Sequence, residues 1–323
     1  MSSAQKDRLD QAAVAAGVAL ISADQQDVAS KVMDADWFCG HAKQQQIDWQ
    51  SVVAQGRLAW IQSSAAGMDH CLVPQVVDSN IEVSGCSGLF RDSVAEQTMA
   101  LLYGLIRSMP VFFHAQSQRE YVRRPTDDLH GKRIGIVGFG GNGQRIAQML
   151  KPLGNSILAT DRFVPQWQQA NVRLPAIDHL LPADQLPYLL SRSDVLILTL
   201  PLDDSTVGLI GQEQLAALPK GAYVINVGRG KLLDETALCQ ALQDGHLNGA
   251  GLDVAWNEPP DQESSLWNEP GVLLSPHVGA QSARRYDLVL DLLIENMQRI
   301  QVSQRLKNRV DKTIGYSMPS ERD

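Results

Sequence analysis

The chain has 323 residues, 44% of them hydrophobic and 20% charged, an ordinary globular balance at a length that suits two domains better than one. A formal net charge of −8 argues against a nucleic-acid partner, because phosphate binding needs clustered Lys and Arg. No stretch approaches the roughly 18 consecutive apolar residues of a membrane span, and the opening MSSAQKDRLD lacks the apolar core of a secretory leader, so a cytoplasmic protein without membrane contact is expected.

In chain order, the first pattern is helical, DRLDQAAVAAG, where a strand would ordinarily open an α/β domain. Short strands are then expected at 18–22 (VALIS), 35–40, 58–64 and 81–85, giving a smaller α/β domain. A long apolar-rich helix is expected over 93–109. From residue 133 onward, short apolar runs alternate with amphipathic stretches. The runs are IGIVGFG (134–140), SILATD (156–161), DVLILTL (194–200), AYVINVG (222–228), AGLDVA (250–255) and VLLSPH (272–277). Continuous apolar runs separated by helical pattern signal parallel strands buried on both faces of a doubly wound sheet. Among the helices between them, DETALCQALQDG carries Asp234 as N-cap and Gly245 as C-cap. A last helix around 282–305 would return the chain to the first domain. The division is therefore one domain of 1–103 with 281–323, and a second of 104–280.

Cys39, Cys71, Cys86 and Cys239 form no C-x-x-C pair, and the seven histidines show no ligand spacing. Reduced thiols and no metal site are expected.

Gly138-Phe139-Gly140-Gly141-Asn142-Gly143 follows one apolar run and opens a helical pattern, the context that gives a G-x-G-x-x-G motif meaning. Gly138 would permit the tight turn and Gly140 the approach of backbone amides to a pyrophosphate. Gly143 would let helix and strand pack closely. Phosphates would then lie at a helix N-terminus. Asp161, at the end of the next strand, suits the adenosine ribose hydroxyls and would repel a 2′-phosphate, which favours NAD over NADP. The neighbouring Arg162 slightly weakens that preference.

Three later segments place a polar residue just beyond an apolar strand, where parallel sheets bind ligands. They contain Arg229, Glu258 and His277. An Arg could hold a carboxylate bidentately, and a His could exchange a proton near neutral pH. A carboxylate beside that His would fix its tautomer and favour its protonated form. This set suits hydride transfer between NAD(H) and a 2-oxo or 2-hydroxy acid.

The chain resembles the D-isomer-specific 2-hydroxyacid dehydrogenase family through SSAAGMDH (63–70), SVAEQTMALLYGLIR (93–107), LHGKRIGIVGFGGNG (129–143), LPLDDSTVGLI (200–210), NVGRGKLLDETAL (226–238), GLDVAWNEP (251–259) and SPHVGA (275–280). The resemblance implies a Rossmann-type cofactor domain and a flavodoxin-like, discontinuous substrate domain. It implies Arg229 as the substrate-binding residue, Glu258 as the carboxylate partner and His277 as acid/base. Gly141 and Asn142 would lie over the pyrophosphate and Leu200-Pro201 against the adenosine. Asp253 and the Val227 backbone would hold the nicotinamide carboxamide; Gly228, His277 and Gly279 count with this cofactor site. Amides around Ala65, Ala66 and Gly67 would receive the substrate carboxylate. A homodimer through the cofactor domain is also implied, with 110–128 as candidate contact. Leu89-Phe90-Arg91 would border the substrate side chain and favour a partly apolar group, with packing against the neighbouring helix an equal expectation for Phe90. Two other readings are an NAD-sensing, corepressor-like binding protein and a phosphoglycerate-type dehydrogenase; Glu258 argues against a formate-type enzyme.

Overall fold

The computed structural model describes residues 1–42, 44–164 and 176–317. It divides into two compact units, Met1–Phe90 with Ser282–Asp323, and Arg91–Gln281. The helix Arg91–Ile106 lies whole in the second unit, so the boundary falls at its start and not inside it at 103. An apolar helix packs along its full length, and cutting it would expose the face that Leu101 and Leu105 bury.

The first unit contains a parallel sheet of β1 (Trp37–Gly40), β2 (Trp60–Ser63) and β3 (Glu82–Ser84), with β2 in the centre. The strand expected at 18–22 does not form. Leu20 and Ile21 are exposed, and β propensity without a ladder partner does not hold a strand. The opening helix, Ser3–Ala16, starts on a capping box between Ser2 and Gln5 and ends at Gly17 in the left-handed region. Gln5 and Arg8 bind Asp287 and Asp291 on the returning helix Arg285–Gln301. Deeper in the same unit, Asn296 donates to Gln62 Oε1 (2.9 Å), which also accepts from Ser84 Oγ (2.9 Å).

The second unit is built on seven parallel strands in the order β10-β9-β8-β7-β4-β5-β6. They are β4 (Arg133–Val137), β5 (Ser156–Asp161), β6 (His179–Pro182), β7 (Val195–Leu198), β8 (Ala222–Asn226), β9 (Leu247–Leu252) and β10 (Val272–Leu274). Ile134, Ile136, Ile157, Leu196, Ile197, Val224 and Ile225 are all fully buried, as strands covered on both faces require. Strand order reverses between β4 and β7, which opens a crevice at their carboxyl ends. β6 is the one strand of this sheet that the apolar runs do not signal. It is a half-exposed edge ending on Pro182, and edges need neither a long apolar run nor every backbone N–H. Asp234 caps the helix Glu235–Gln243 by accepting from Thr236 N and Ala237 N, and Gly245 (φ 64°) follows it. No described helix is long and apolar enough to cross a membrane.

Candidate active site

The glycine-rich turn connects β4 to the helix Gly141–Leu150. Gly138 has φ 92°, and a Cβ there would stand 2.9 Å from Leu200 Cδ2. A Cβ on Gly143 would stand 2.3 Å from the Gly138 carbonyl oxygen, so helix and strand meet at a separation only glycine permits. Gly140 is the N-cap, and among the described residues no side chain caps the first amides of the helix. Those amides lack partners within the helix and favour an anion. Gly138, Gly140, Gly141, Asn142 and Gly143 are thus one turn that fits a dinucleotide pyrophosphate. Leu200 also lies against Gly228, where a Cβ would sit 2.9 Å from the Leu200 carbonyl oxygen.

Asp161 is 9% exposed. Its Oδ2 accepts from Phe139 N and its Oδ1 from Phe163 N, both at 2.8 Å, so it braces the turn from the neighbouring strand end. Arg162 is held by Asp203 at 2.9 Å and by Ser205 Oγ at 3.1 Å.

At the ends of β8, β9 and β10, three loops bring polar residues together. After β8, Asn226 Oδ1 accepts from Gly228 N (3.0 Å) while its Nδ2 donates to Arg229 O (2.9 Å). That pair fixes the backbone which carries Arg229. The Gly230 backbone lies against the 255–256 peptide so closely that a Cβ would fall 1.9 Å from Ala255 O. This contact seats the Arg229 loop on the loop bearing Glu258. Gly230 was not among the expected site residues; its signal is the second glycine of VGRG.

His277 Nδ1 and Glu258 Oε2 are 2.7 Å apart, each side chain a little under half exposed. Burial pushes the Glu258 carboxyl up. The hydrogen bond and charge of His277, the Ala255 N–H and the Arg229 charge outweigh it and hold the group below its ordinary value. His277 occupies the left-handed region at φ 53°, rare for a non-glycine residue. Asp253, 2% exposed, turns its carboxylate onto this loop: Oδ1 accepts from Ser275 Oγ (2.7 Å) and Val278 N (3.0 Å), Oδ2 from Gly279 N (2.7 Å). Gly279 is required by that approach, since a Cβ would stand 2.8 Å from Asp253 Oδ2.

In the first unit, Ala65, Ala66 and Gly67 follow β2. Ser63 Oγ accepts from Ala65 N (3.0 Å) and contacts His70 Nε2 (3.1 Å), and the His70 ring stacks on His41 at 3.8 Å. Arg285 donates to Ser64 O (3.0 Å) and lies over the Phe90 ring at 4.4 Å. Phe90 is buried, and its ring is a packing surface under the Arg285 guanidinium. Ser63 and His70 stand at the two ends of SSAAGMDH without an expected role, and no motif singles out His41 or Arg285.

Residues 99–279 match the family model described as "D-isomer specific 2-hydroxyacid dehydrogenase, NAD binding domain". That covers more than half of the chain. The chain belongs to the D-isomer specific 2-hydroxyacid dehydrogenase family. It is an oxidoreductase fold of two α/β domains, one of them dinucleotide-binding. A glyoxylate reductase of Thermococcus kodakarensis is 31% identical over 264 residues, 78% of this chain and 76% of that protein. A D-3-phosphoglycerate dehydrogenase of Methanocaldococcus jannaschii is 28% identical over 79% of this chain, which spans 48% of that relative. A D-isomer specific 2-hydroxyacid dehydrogenase family protein from Aeromonas salmonicida superposes with TM-score 0.80 at 26% identity, covering 96% of both chains. A relative from Xanthobacter autotrophicus, solved with NADPH and MES, gives TM-score 0.77 at 25% identity over 98% of both. The matching family model is of an NAD-binding domain, and the Xanthobacter relative holds NADPH, so the family takes a nicotinamide dinucleotide.

Proposed function

We propose that this dehydrogenase reduces a small 2-oxo acid, or oxidises the matching 2-hydroxy acid, with NAD(H) preferred over NADP(H). When bound, the dinucleotide supplies or accepts the hydride. The 2.7 Å His277–Glu258 pair carries the proposal. It occupies Nδ1, so Nε2 faces the substrate oxygen and exchanges its proton. Glu258, held ionised, keeps the tautomer fixed and stabilises the imidazolium that delivers the proton. Arg229, on its pinned loop, grips the carboxylate and polarises the carbonyl. In the first unit the Ala65 amide already donates to Ser63 Oγ, so Ala66 and Gly67 supply the amides for the carboxylate.

The preference for NAD rests on Asp161, whose carboxylate would meet a 2′-phosphate, and on Arg162, which is engaged with Asp203. A homodimer in the cytoplasm, with 110–128 at the contact, belongs to the same reading. The phosphoglycerate-type alternative is favoured by several relatives of that name, the Methanocaldococcus jannaschii enzyme among them.

NADH oxidation by the purified protein against glyoxylate, hydroxypyruvate, pyruvate, a branched-chain 2-oxo acid, phenylpyruvate and phosphohydroxypyruvate tests this, with NADPH run in parallel. NADH-dependent turnover that disappears in His277→Ala is the expected result. Tight NADH binding without turnover on any acid would instead point to the NAD-sensing protein.

A further inference from the structure

The left-handed backbone at His277 is unfavourable for a residue with a Cβ and persists only where its surroundings over-determine it. What over-determines it is a directional chain of hydrogen bonds within the second unit. Gln97, on the helix Arg91–Ile106, donates from Nε2 to Ser275 Oγ (2.9 Å). With that lone pair occupied, the single Ser275 hydroxyl proton points to Asp253 Oδ1 (2.7 Å). Asp253 in turn binds Val278 N and Gly279 N by its carboxylate and His277 N by its main-chain oxygen (2.8 Å). Every backbone amide from 277 to 279 therefore ends on Asp253. The Asp253 carboxylate is buried, and each of its three donors satisfies an oxygen that would otherwise lie unpaired away from water.

We propose that Gln97 and Ser275 are positioning residues that aim the His277 imidazole at Glu258 through Asp253. Neither touches the reacting atoms. Gln97 fixes the sense of the Ser275 hydroxyl, the hydroxyl fixes the Asp253 carboxylate, and the carboxylate fixes the loop. The inference rests on the proposed role of His277 in proton transfer and extends it to a helix that carries no chemistry of its own.

Ser275→Ala, Ser275→Thr, Gln97→Leu and the Ser275→Ala/Gln97→Leu pair test it, beside His277→Ala as the control for the underlying role. Readouts are kcat, KM for the 2-oxo acid, NADH Kd by fluorescence, melting temperature, and the pH profile of reduction. An imidazole misaimed by about 1 Å lowers turnover by up to about a hundredfold. Ser275→Ala should approach that loss with NADH Kd unchanged, and its rate should fall off at lower pH than in the parent, because an imidazole no longer aimed at Glu258 loses its anionic partner. Gln97→Leu should show the same signature at smaller size, and the pair should lose no more than Ser275→Ala alone, since both act through one hydroxyl. Ser275→Thr, which keeps the hydroxyl, should restore most of the rate. Parent-like kcat and pH profile in Ser275→Ala would overturn the inference. So would loss of NADH affinity in step with kcat and no rescue by threonine. If His277→Ala retains turnover, it is the proton-transfer role itself that falls.

Discussion

The glycine-rich turn after β4 and the loops after β8, β9 and β10 are held by opposite means. At the turn, side chains are missing where they would collide: Gly138 and Gly143 let backbone and Leu200 close to distances that a Cβ would block. At the other loops, position is set by side chains that are present: Asn226 pins the Arg229 loop, Asp253 the histidine loop, and Glu258 the imidazole. Binding the bulk of a dinucleotide needs a shape, which absence of atoms can supply. Moving a proton needs direction, which only donors and acceptors at set angles can supply.

That contrast predicts separable failures. The largest is His277→Ala, which should cut turnover by roughly 10²–10⁴-fold, the usual worth of a positioned acid/base, while NADH Kd stays near the parent value. Equal losses in both would dissolve the distinction. Gly143→Ala should do the reverse. Its added Cβ meets main-chain oxygen at 2.3 Å, which cannot swing aside, so about 1–3 kcal/mol of stability and much of the NADH affinity are lost, as calorimetry and fluorescence titration would show. Glu258→Gln sits between them. It keeps the shape and removes the anion, so reduction should slow by about tenfold, or roughly 1.4 kcal/mol, and should fall away at lower pH than in the parent. A pH profile identical to the parent's would sink the electrostatic role.

The smallest effect tests the frame that carries both regions. Asp194 accepts from Arg133 N (2.9 Å) and pairs with the Arg133 guanidinium, tying β4 to the start of β7. The Arg133 hydrogen bond holds the Asp194 carboxyl below its ordinary value of 3.8. A depressed folded-state value means that this stabilisation is full above about pH 4 and is lost as pH falls through the folded value. Asp194→Asn should cost about 1 kcal/mol at neutral pH, the modest worth of a partly exposed pair, and less in acid. Thermal melts across pH 2–7 would show the two curves converging.

The region held by missing atoms was the more legible in sequence. Glycines at fixed spacing after an apolar run announce close approach directly, and Arg229, Glu258 and His277 announce themselves as polar residues just past buried strands. The seven-stranded sheet was readable for the same reason, except at β6, whose edge position relieves it of an apolar run. The parts that escaped depend on partners distant in sequence. Gln97 meets Ser275 across 178 residues, and Arg285 meets Ser64 across 221; no local pattern encodes such a pair. The 18–22 segment misled in the opposite sense, because its apolar residues look like a strand but find no neighbour to pair with.

The hydrogen bond from Asn296 to Gln62, and those that seat Arg8 and Gln5 on the returning helix, have a consequence for synthesis. Chains leave the ribosome from the N-terminus at roughly 5–20 residues per second. Residues 1–90 therefore emerge before the second unit and well before the helix that completes their own. For that interval Gln62 lacks its Asn296 donor, and the apolar face around Trp60 lacks the Met297 that packs against it. The second unit, continuous from Arg91 to Gln281, has no such wait. It can fold as it appears, while the first to be made is the last to be finished.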